Sequence, residues 1–456
     1  MLKKSILFTS ASAMALGLAL TFAPTTARAD ATPDCNAGTG TDATECGAGA
    51  TATGNEATAV GGNSTATGNS TTAVGGQSTA DGLAATAFGW RSNATGERAH
   101  ALGHIASAQG ERSLAVGEDA QAQSAFSTAI GNQSRANGVD ALAMGDNAKA
   151  DGTSTTAVGG ESVADGTAAT AFGWRANATG ERAHAFGHLA SAQGVRSLAV
   201  GEGAQALSDN STAIGNLATA SGADALAMGD EANADGTSTT AIGGESDAVG
   251  TAATAFGWRA QATAERAHAI GHLATASGVR SLAVGEAATA SGTRSTALGD
   301  QASAGFSNST ALGAGATATR SNQFVLGTGS NTYTAPGITS AASKAAQSGA
   351  LEVVTTDASG NLASDGGAFA NMIDRNRGDI RDLREGVALS LAMDTPVVNA
   401  GDRFALSGGV GYYDEEAAFS ASGAVRVNRV MTLSAGVGSG FDSGKVGARA
   451  GATLSW

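Results

Sequence analysis

An alanine occupies every seventh position from Ala52 to Ala318, and a tripeptide of alanine, an apolar residue and glycine returns at every fourteenth. The first tripeptide is Ala59-Val60-Gly61 and the last complete one is Ala311-Leu312-Gly313, while Val325-Leu326-Gly327 is a variant that begins with valine. A period this strict predicts a solenoid, in which each repeat forms one coil that packs on its neighbours.

Heptad spacing of small apolar residues is also typical of coiled coils, so the two folds have to be distinguished. Glycine ends every tripeptide, a second glycine usually lies seven residues away, as at Gly54 and Gly68, and serine and threonine fill most other positions. These residue types disfavour helix relative to alanine. With 66 glycines, four prolines and 4% aromatic residues, the composition is typical of repetitive β structure. The predicted unit is a coil with two short strands and two glycine-marked turns.

Side-chain alternation along each strand predicts which residues form the interior. Ala129 lies between Thr128 and Ile130, so it points to the opposite side of its strand from both. In the other strand of the coil, Ala136 lies between Arg135 and Asn137. Burial of these two polar side chains would cost several kcal/mol each. The alanines of both strands are therefore expected to face inward.

A second apolar row is left on the outside of this arrangement. The residue before the glycine of each tripeptide is large and apolar, as at Val60, Val74, Phe88, Leu102, Val116, Ile130 and Met144. Coils about 4.8 Å apart would stack some twenty such side chains over roughly 95 Å. Soluble monomers rarely expose an apolar stripe of this size. We therefore predict an oligomer whose subunits bury the stripes on a shared axis.

A longer repeat of 84 residues, or six coils, is superimposed on the short one from residue 89 onward. It places a tryptophan followed by an arginine beside a turn in each copy: Trp90 and Arg91, Trp174 and Arg175, and Trp258 and Arg259. The pattern is compatible with a ligand-binding aromatic patch or with cation–π packing that only covers a turn.

All six histidines belong to the same long repeat and occur in pairs four residues apart. The pairs are His100 and His104, His184 and His188, and His268 and His272. Two metal ligands are one interpretation, yet a glycine turn separates the members of each pair and no cysteine or carboxylate cluster completes a coordination shell. Structural or solvated histidines are favoured, and no metal or other cofactor is predicted.

The N-terminus has the features of a secretory signal peptide over residues 1–29, with Lys3 and Lys4 before an apolar run and a small-x-small site that predicts cleavage between Ala29 and Asp30. Removal of this segment makes the net charge more negative than −14, which argues against nucleic acid as a partner. Residues 30–50 form a predicted tip. Its cysteines, Cys35 and Cys46, are interpreted as one disulfide loop or as two unpaired thiols.

No catalytic motif appears in the chain. A Gly-x-Ser-x-Gly nucleophile elbow and a phosphate-binding loop are both absent, and the acidic residues are scattered over the predicted outer surface. No enzymatic activity and no catalytic residue are predicted.

The predicted head covers residues 51–327 and ends where the regular pattern stops. Residues 328–367 form a predicted adapter, which contains a possible strand but has no assignable fold. A coiled coil is predicted at residues 368–393, because apolar residues return at alternating spacings of four and three with a single polar interruption at Asn376. The positions of this seam are Phe369, Ile373, Asn376, Ile380, Leu383, Val387 and Ser390.

Residues 394–456 contain four segments near ten residues in length with strict apolar alternation, separated by polar turns. Their length and alternation match transmembrane β-strands. Four strands cannot close a barrel, and an open edge is not tolerated in lipid. Three chains would supply twelve strands, which predicts that the oligomer is a trimer.

The order of signal peptide, head repeats, short coiled coil and four terminal strands resembles the YadA-like family of trimeric autotransporter adhesins over nearly the whole chain. The head motif of that family, Asn-Ser-x-Ala-apolar-Gly, is present at residues 210–215 and 308–313. The anchor is similar at residues 424–428, Ala-Val-Arg-Val-Asn, and in the terminal aromatic residue Trp456. The neck sequence usual in the family is missing, and the cysteine pair is atypical.

The resemblance implies a mainly β fold: a left-handed parallel β-roll head, a short coiled-coil stalk and a 12-stranded outer-membrane β-barrel, all as a homotrimer. It also implies that Trp456 is part of the signal by which the barrel-assembly machinery inserts the anchor into outer-membrane lipid.

The expected function is attachment of the cell to host extracellular matrix, host receptors or surfaces, together with autoaggregation and biofilm formation. A non-adhesive protective coat or serum-resistance factor is the alternative. The candidate contact residues on the head are Trp90, Trp174, Trp258, His104, His188 and His272.

Overall fold

The computed structural model describes residues 35–456. The predicted signal peptide and its cleavage site at Ala29 and Asp30 lie outside the described residues. The chain divides into a first compact unit that ends at Asn331 and a second that runs from Thr332 to Trp456.

The first unit is a β-solenoid in which each coil contributes one three-residue strand and one two-residue strand. The three-residue strands stack in parallel as one sheet, Thr44–Cys46, Thr58–Val60, Thr72–Val74, Thr86–Phe88, His100–Leu102, Leu114–Val116, Thr128–Ile130, Leu142–Met144, Thr156–Val158, Thr170–Phe172, His184–Phe186, Leu198–Val200, Thr212–Ile214, Leu226–Met228, Thr240–Ile242, Thr254–Phe256, His268–Ile270, Leu282–Val284, Thr296–Leu298, Thr310–Leu312 and Phe324–Leu326. We call it the long-strand sheet.

The two-residue strands stack in parallel as a second sheet, here the short-strand sheet. Its members are Thr51–Ala52, Thr65–Ala66, Thr79–Ala80, Asn93–Ala94, Ser107–Ala108, Gln121–Ala122, Arg135–Ala136, Lys149–Ala150, Val163–Ala164, Asn177–Ala178, Ser191–Ala192, Gln205–Ala206, Thr219–Ala220, Asn233–Ala234, Asp247–Ala248, Gln261–Ala262, Thr275–Ala276, Thr289–Ala290, Ser303–Ala304 and Thr317–Ala318. Corresponding residues of adjacent coils are aligned at a spacing of 14, as for Ala129 and Ala143. The prediction of a solenoid with 14-residue coils is confirmed.

Alanine forms the solenoid interior. Every alanine of the heptad series from Ala52 to Ala318 is buried, which confirms the assignment of faces. A second buried row, at the corners before each strand, holds alanine, serine or threonine. Most of the serine and threonine hydroxyls there donate to a carbonyl three residues earlier, as from Ser64 to Gly61 at 2.9 Å and from Thr155 to Gly152 at 2.7 Å, whereas the hydroxyls of Ser246, Ser281 and Ser295 have no hydrogen-bond partner among the described residues. These bonds satisfy polar groups that would otherwise be buried without a partner.

The turns keep consecutive coils in close backbone contact. Gly61 has φ +128°, a conformation that side chains rarely adopt, and a Cβ placed there would lie 2.7 Å from the carbonyl group of Gly75 in the next coil. The same geometry recurs at the glycines of the later tripeptides up to Gly299. Glycine is therefore required at these positions both by backbone conformation and by space.

The N-terminal end of the solenoid is covered by its own cap. Strand Asn36–Ala37 pairs antiparallel with Thr44–Cys46, and a disulfide joins Cys35 to Cys46. Glu45 stands where the heptad series would place an alanine, and its Oε1 accepts a hydrogen bond of 2.6 Å from the backbone N–H of Ala52. This carboxylate satisfies a donor of the first short strand, which has no preceding strand to pair with.

The second unit begins with small elements and ends in a helix and a sheet. It contains a 3₁₀ turn at Pro336–Thr339, a short helix at Ala341–Ala346, a hairpin of Val354–Thr356 with Leu362–Ser364, and a long helix at Ala368–Ala392. The hairpin shows that the possible strand in the adapter pairs with a second strand that sequence reasoning did not find. Between residues 35 and 456, no helix is both long enough and apolar enough to span a membrane.

Four antiparallel strands complete the second unit, and we call them anchor strands 1 to 4. They are Phe404–Tyr413, Glu416–Arg426, Met431–Gly440 and Val446–Leu454, and each pairs with the next in sequence. In anchor strand 1 the large residues Phe404, Leu406 and Val410 are exposed, while Ala405, Ser407 and Gly409 on the opposite face are half-buried. The alternation predicted for this segment is therefore present in the sheet.

The small face of the sheet packs on the C-terminal half of the long helix. A Cβ at Gly411 would lie 1.9 Å from the carbonyl oxygen of Ala388, so the backbones are in close contact. Ser420 Oγ donates to the carbonyl of Ala392 at 2.6 Å. Glu385 is 3% exposed, and its carboxylate accepts hydrogen bonds from the backbone N–H groups of Asp442 and Ser443 at 2.7 and 3.0 Å.

The predicted coiled-coil seam lies on another face of the long helix. Ile380, Leu383 and Val387 are exposed, with 71% exposure at Leu383. The seam positions therefore remain free for contact while the helix is docked on the sheet. Asn376 is likewise exposed. The pairing of this helix with helices of other chains remains a prediction.

Candidate functional surface of the repeat

Three side chains in consecutive coils form a continuous ladder along the turn that follows the long strands. Trp90 stacks on His104 with ring centroids 4.9 Å apart and planes inclined by 19°. Nδ1 of His104 then lies 3.3 Å from Oε1 of Glu118. Each residue follows the positive-φ glycine of its coil, and this shared position aligns the side chains along the solenoid axis. We call the ladder and its two copies the tryptophan ladders.

The geometry is reproduced at intervals of 84 residues. Trp174 with His188 and Trp258 with His272 both have ring centroids 4.9 Å apart and planes inclined by 23°. The distance from the histidine to its glutamate is 3.1 Å for Glu202 and 3.3 Å for Glu286. All six candidate contact residues therefore lie in three equivalent ladders.

Each indole packs against a glycine in the preceding coil. A Cβ at Gly160 would lie 3.1 Å from Cδ1 of Trp174, and the corresponding distance between Gly76 and Trp90 is 3.2 Å. A larger residue would therefore displace the indole. Trp90 and Trp174 remain 47% and 46% exposed, so a large part of each tryptophan is accessible for contact.

An arginine lies over each indole. The guanidinium carbon of Arg175 is 5.1 Å from the ring centroid of Trp174, and its Nε is 3.2 Å from Glu161. Arg259 has the same environment, 4.8 Å from Trp258 and 2.8 Å from Glu245.

The first copy differs at one position. Arg91 lies 5.1 Å from Trp90, but Gln77 stands where the other copies have glutamate. The ladders present an aromatic surface, a cation and a carboxylate together, a combination suited to contacts with polar, partly apolar ligands.

The other histidine of each pair, which comes first in the sequence, belongs to a different surface. His100, His184 and His268 begin long strands, with their side chains on the outer face of that sheet. His184 lies beside Phe186 at a centroid distance of 6.3 Å. In the part of the chain that the structure describes, no group of three or more His, Cys, Asp or Glu residues is arranged to hold a metal ion.

The outer face of the long-strand sheet carries the apolar stripe. Phe88, Phe172 and Phe256 are 55%, 55% and 52% exposed. They occur at equivalent positions of the 84-residue repeat, and apolar residues of the intervening coils, such as Leu102 and Phe186, continue the row. A stripe of this length is a candidate subunit interface.

Sequence reasoning missed the partners of the candidate residues. It did not predict the contact of His104 with Glu118 or that of Arg175 with Glu161. A signal was available, because the members of each pair are 14 residues apart. That spacing makes two residues neighbours in adjacent coils of a solenoid with this period.

Comparisons with known families identify both ends of this architecture. The YadA head domain repeat matches residues 47–64, 52–78, 66–92, 80–106, 94–117, 108–134, 136–162, 164–190, 192–218, 220–246, 248–274, 276–302 and 307–330. These matches cover more than half of the chain. The chain belongs to the YadA-like family of trimeric autotransporter adhesins. The YadA-like membrane anchor domain matches residues 396–456, the region of the four anchor strands.

Among solved structures, this YadA-like chain is similar to the crystal structure of the collagen-binding domain of the Yersinia adhesin YadA. The two are 23% identical with a TM-score of 0.25, and the match covers 40% of this chain and 84% of the other. No curated protein matches the chain.

The match to the YadA-like membrane anchor domain indicates that the C-terminal strands anchor the chain in the outer membrane and that the head is exposed. Trp456 follows the fourth anchor strand and is fully exposed.

Proposed function

We propose that this YadA-like protein is a homotrimeric adhesin that projects its head from the cell surface and attaches the cell to extracellular matrix, host receptors or other surfaces. Adhesion between sister cells would produce autoaggregation and biofilm. The observation that carries the proposal is the threefold repetition of an exposed tryptophan ladder on a rigid solenoid. It is supported by membership of an adhesin family.

The trimer is supported by features of both units. The solenoid exposes an apolar stripe, the long helix exposes its heptad seam, and anchor strands 1 and 4 leave two unpaired sheet edges. Closure of three four-stranded sheets into one 12-stranded barrel would remove the edges, which lipid does not tolerate. A threefold axis satisfies all three requirements at once.

Insertion of such a barrel requires recognition of the anchor by the barrel-assembly machinery, and Trp456 is the proposed signal. The Trp456 side chain is large, apolar and exposed, so it is accessible for recognition. Export directed by the signal peptide at residues 1–29, with cleavage between Ala29 and Asp30, would precede this step.

Multivalency supplies the strength of adhesion. Copies six coils apart are separated by roughly 29 Å, given about 4.8 Å per coil. A trimer would carry nine ladders, and simultaneous engagement raises avidity by orders of magnitude over one weak contact.

A screen of immobilised matrix proteins against cells that display the full-length chain tests the proposal. An adhesin retains the cells on at least one protein above the level of cells that lack it. A protective coat or serum-resistance factor would retain none, and that result would overturn the proposal.

A further inference from the structure

A row of arginines in consecutive coils lies on the turn that follows the short strands, away from the tryptophan ladders. It consists of Arg266, Arg280 and Arg294 in consecutive coils, and we call it the arginine row. All three have left-handed backbone conformation, with φ between +53° and +59°. The backbone N–H of Arg280 donates to the carbonyl of Glu265, and that of Arg294 to the carbonyl of Val279, each at 2.9 Å. The three side chains therefore start from equivalent points about 4.8 Å apart.

The charge of this row is largely uncompensated. Arg266 lies 3.4 Å from Glu265, but Arg280 and Arg294 are exposed and have no acidic partner within 4.0 Å among residues 35–456. The preceding residues at the turn are Val279 and Thr293. Neighbouring outward positions of the short-strand sheet hold serine and threonine, Thr275, Ser277, Thr289 and Ser291.

Equivalent turns in the other copies are neutral. In the first copy, Arg98 and Arg112 each lie beside a glutamate, at 3.6 Å from Glu97 and 3.7 Å from Glu111.

The second copy has two arginines and two acidic residues. Arg182 lies 3.7 Å from Glu181. Arg196 is followed one coil later by Asp209, whose carboxylate accepts a hydrogen bond from the N–H of Val195. Accumulated positive charge is therefore specific to the third copy, in a chain whose net charge is −14.

Three like charges on one line repel one another, and nothing in the fold requires guanidinium groups there. Guanidinium groups bind sulfate and phosphate through paired hydrogen bonds. A polymer with closely spaced anionic groups would neutralise the whole row and release its counterions. The row is one residue wide and bordered by hydroxyl groups, which fits a single narrow chain. A nucleic acid duplex would bring many more phosphates against the acidic surface on either side.

We propose that the arginine row of the third copy binds a linear sulfated polysaccharide along the solenoid axis. The inference deepens the proposed adhesive function, and rests on it, by naming a ligand class for one surface of the head.

Retention of the full-length, detergent-solubilised protein on immobilised heparin tests the proposal. The Arg280→Gln/Arg294→Gln variant is compared with Arg98→Gln/Arg112→Gln, which removes the same number of charges from ion-paired sites. We expect the first variant to lose about tenfold or more in affinity and to show a shallower dependence on salt, and the second to stay within about twofold of the unmodified protein. Arg280→Lys/Arg294→Lys should recover most of the salt dependence, because it restores the charge.

Equal losses in the two glutamine variants would overturn the proposal. A competition experiment gives a second test: the proposal would also be overturned if neutral dextran or duplex DNA displaced the unmodified protein from immobilised heparin as well as soluble heparin does. Cells displaying the same variants on matrix proteins separate this inference from the proposed function. Loss of heparin binding with matrix adhesion intact supports the arginine row, whereas absence of all matrix adhesion with heparin binding intact contradicts only the wider adhesive role.

Discussion

The indole of Trp174 stacks on the imidazole of His188 in the next coil at 4.9 Å, and the arginine beside it lies over the same indole. Because each coil is 14 residues long, side chains 14 positions apart in the sequence lie side by side in adjacent coils, and no other part of the fold is needed to align them. The ladders can therefore vary in chemistry while the alanine interior stays constant. This separation of interior and surface is typical of solenoids that act as binding scaffolds.

Removal of the three indoles should weaken adhesion. In Trp90→Ala/Trp174→Ala/Trp258→Ala, each ladder loses its exposed aromatic surface, and avidity multiplies the loss to about tenfold or more in retained cells. The measurement is the number of cells held on the best surface from the matrix screen. Leu217→Ala removes another exposed apolar side chain of the turn that follows the long strands, and it should leave retention unchanged. Full retention by the triple variant would exclude the ladders as contact sites.

Two adjacent glycines allow a strict test of coil packing. Gly61→Ala would force a Cβ into the backbone of Gly75 at a strained φ, whereas a Cβ at Gly62 would approach nothing closer than 3.8 Å. We expect Gly61→Ala to lower the free energy of unfolding by roughly 2 kcal/mol or more, and Gly62→Ala to change it little. Thermal unfolding followed by circular dichroism measures both. Equal stability of the two variants would contradict the observed stacking of the turns.

Asp365 makes the N-terminal end of the long helix sensitive to pH. Backbone hydrogen bonds from Phe369, Val353 and Gly367 lower the pKa of the Asp365 carboxyl below its usual value. A carboxylate whose pKa is depressed by folding contributes stability above its unfolded pKa and loses it as the pH falls through the folded pKa.

Asp365→Asn should therefore lower the melting temperature of the protein at neutral pH. Its difference from the unmodified protein should shrink as the pH falls through the folded pKa of Asp365, below which both side chains are uncharged. A difference that is constant across this range would show that the carboxylate charge contributes nothing.

The exposed seam of the long helix predicts the effect of a charge at its centre. Leu383→Glu should convert heat-resistant trimers into monomers on gel electrophoresis, because three buried carboxylates would repel one another on the axis. Arg375→Glu, at an exposed position of the same helix outside the seam, is the control and should leave the trimer intact. Trimers that persist in Leu383→Glu would show that this helix does not lie on a shared axis.

Much of the fold could be predicted because its determinants are local and periodic. Ala129 and Ile130 alternate between inside and outside by strand geometry alone, and one correctly assigned coil determines all the others. The anchor strands were found from the same alternation. Contacts that depend on a particular substitution were harder to predict. Glu45 replaces an alanine of the heptad series where the solenoid begins. Its role as an acceptor for the N–H of Ala52 becomes clear only from the structure, in which no short strand precedes that of Ala52 among the described residues.

The helix face that contacts the anchor sheet was also missed. Heptad analysis selected Leu383 and its equivalents, but Glu385 and Ala388 are more buried because the small residues of the sheet accept the opposite face of the helix. The hydrogen bonds of this contact join residues 28 to 58 positions apart in the chain, so no sequence period reveals it.

The most direct test of the central claim is the adhesion of cells that carry the anchor without the head. Deletion of residues 51–327 retains the long helix and the four anchor strands. We expect a heat-resistant trimer in the outer membrane and no adhesion to surfaces that retain cells with the full-length chain. Adhesion equal to that of the full-length protein, with the truncated trimer present in the membrane, would contradict the assignment of the repeat as an adhesive head.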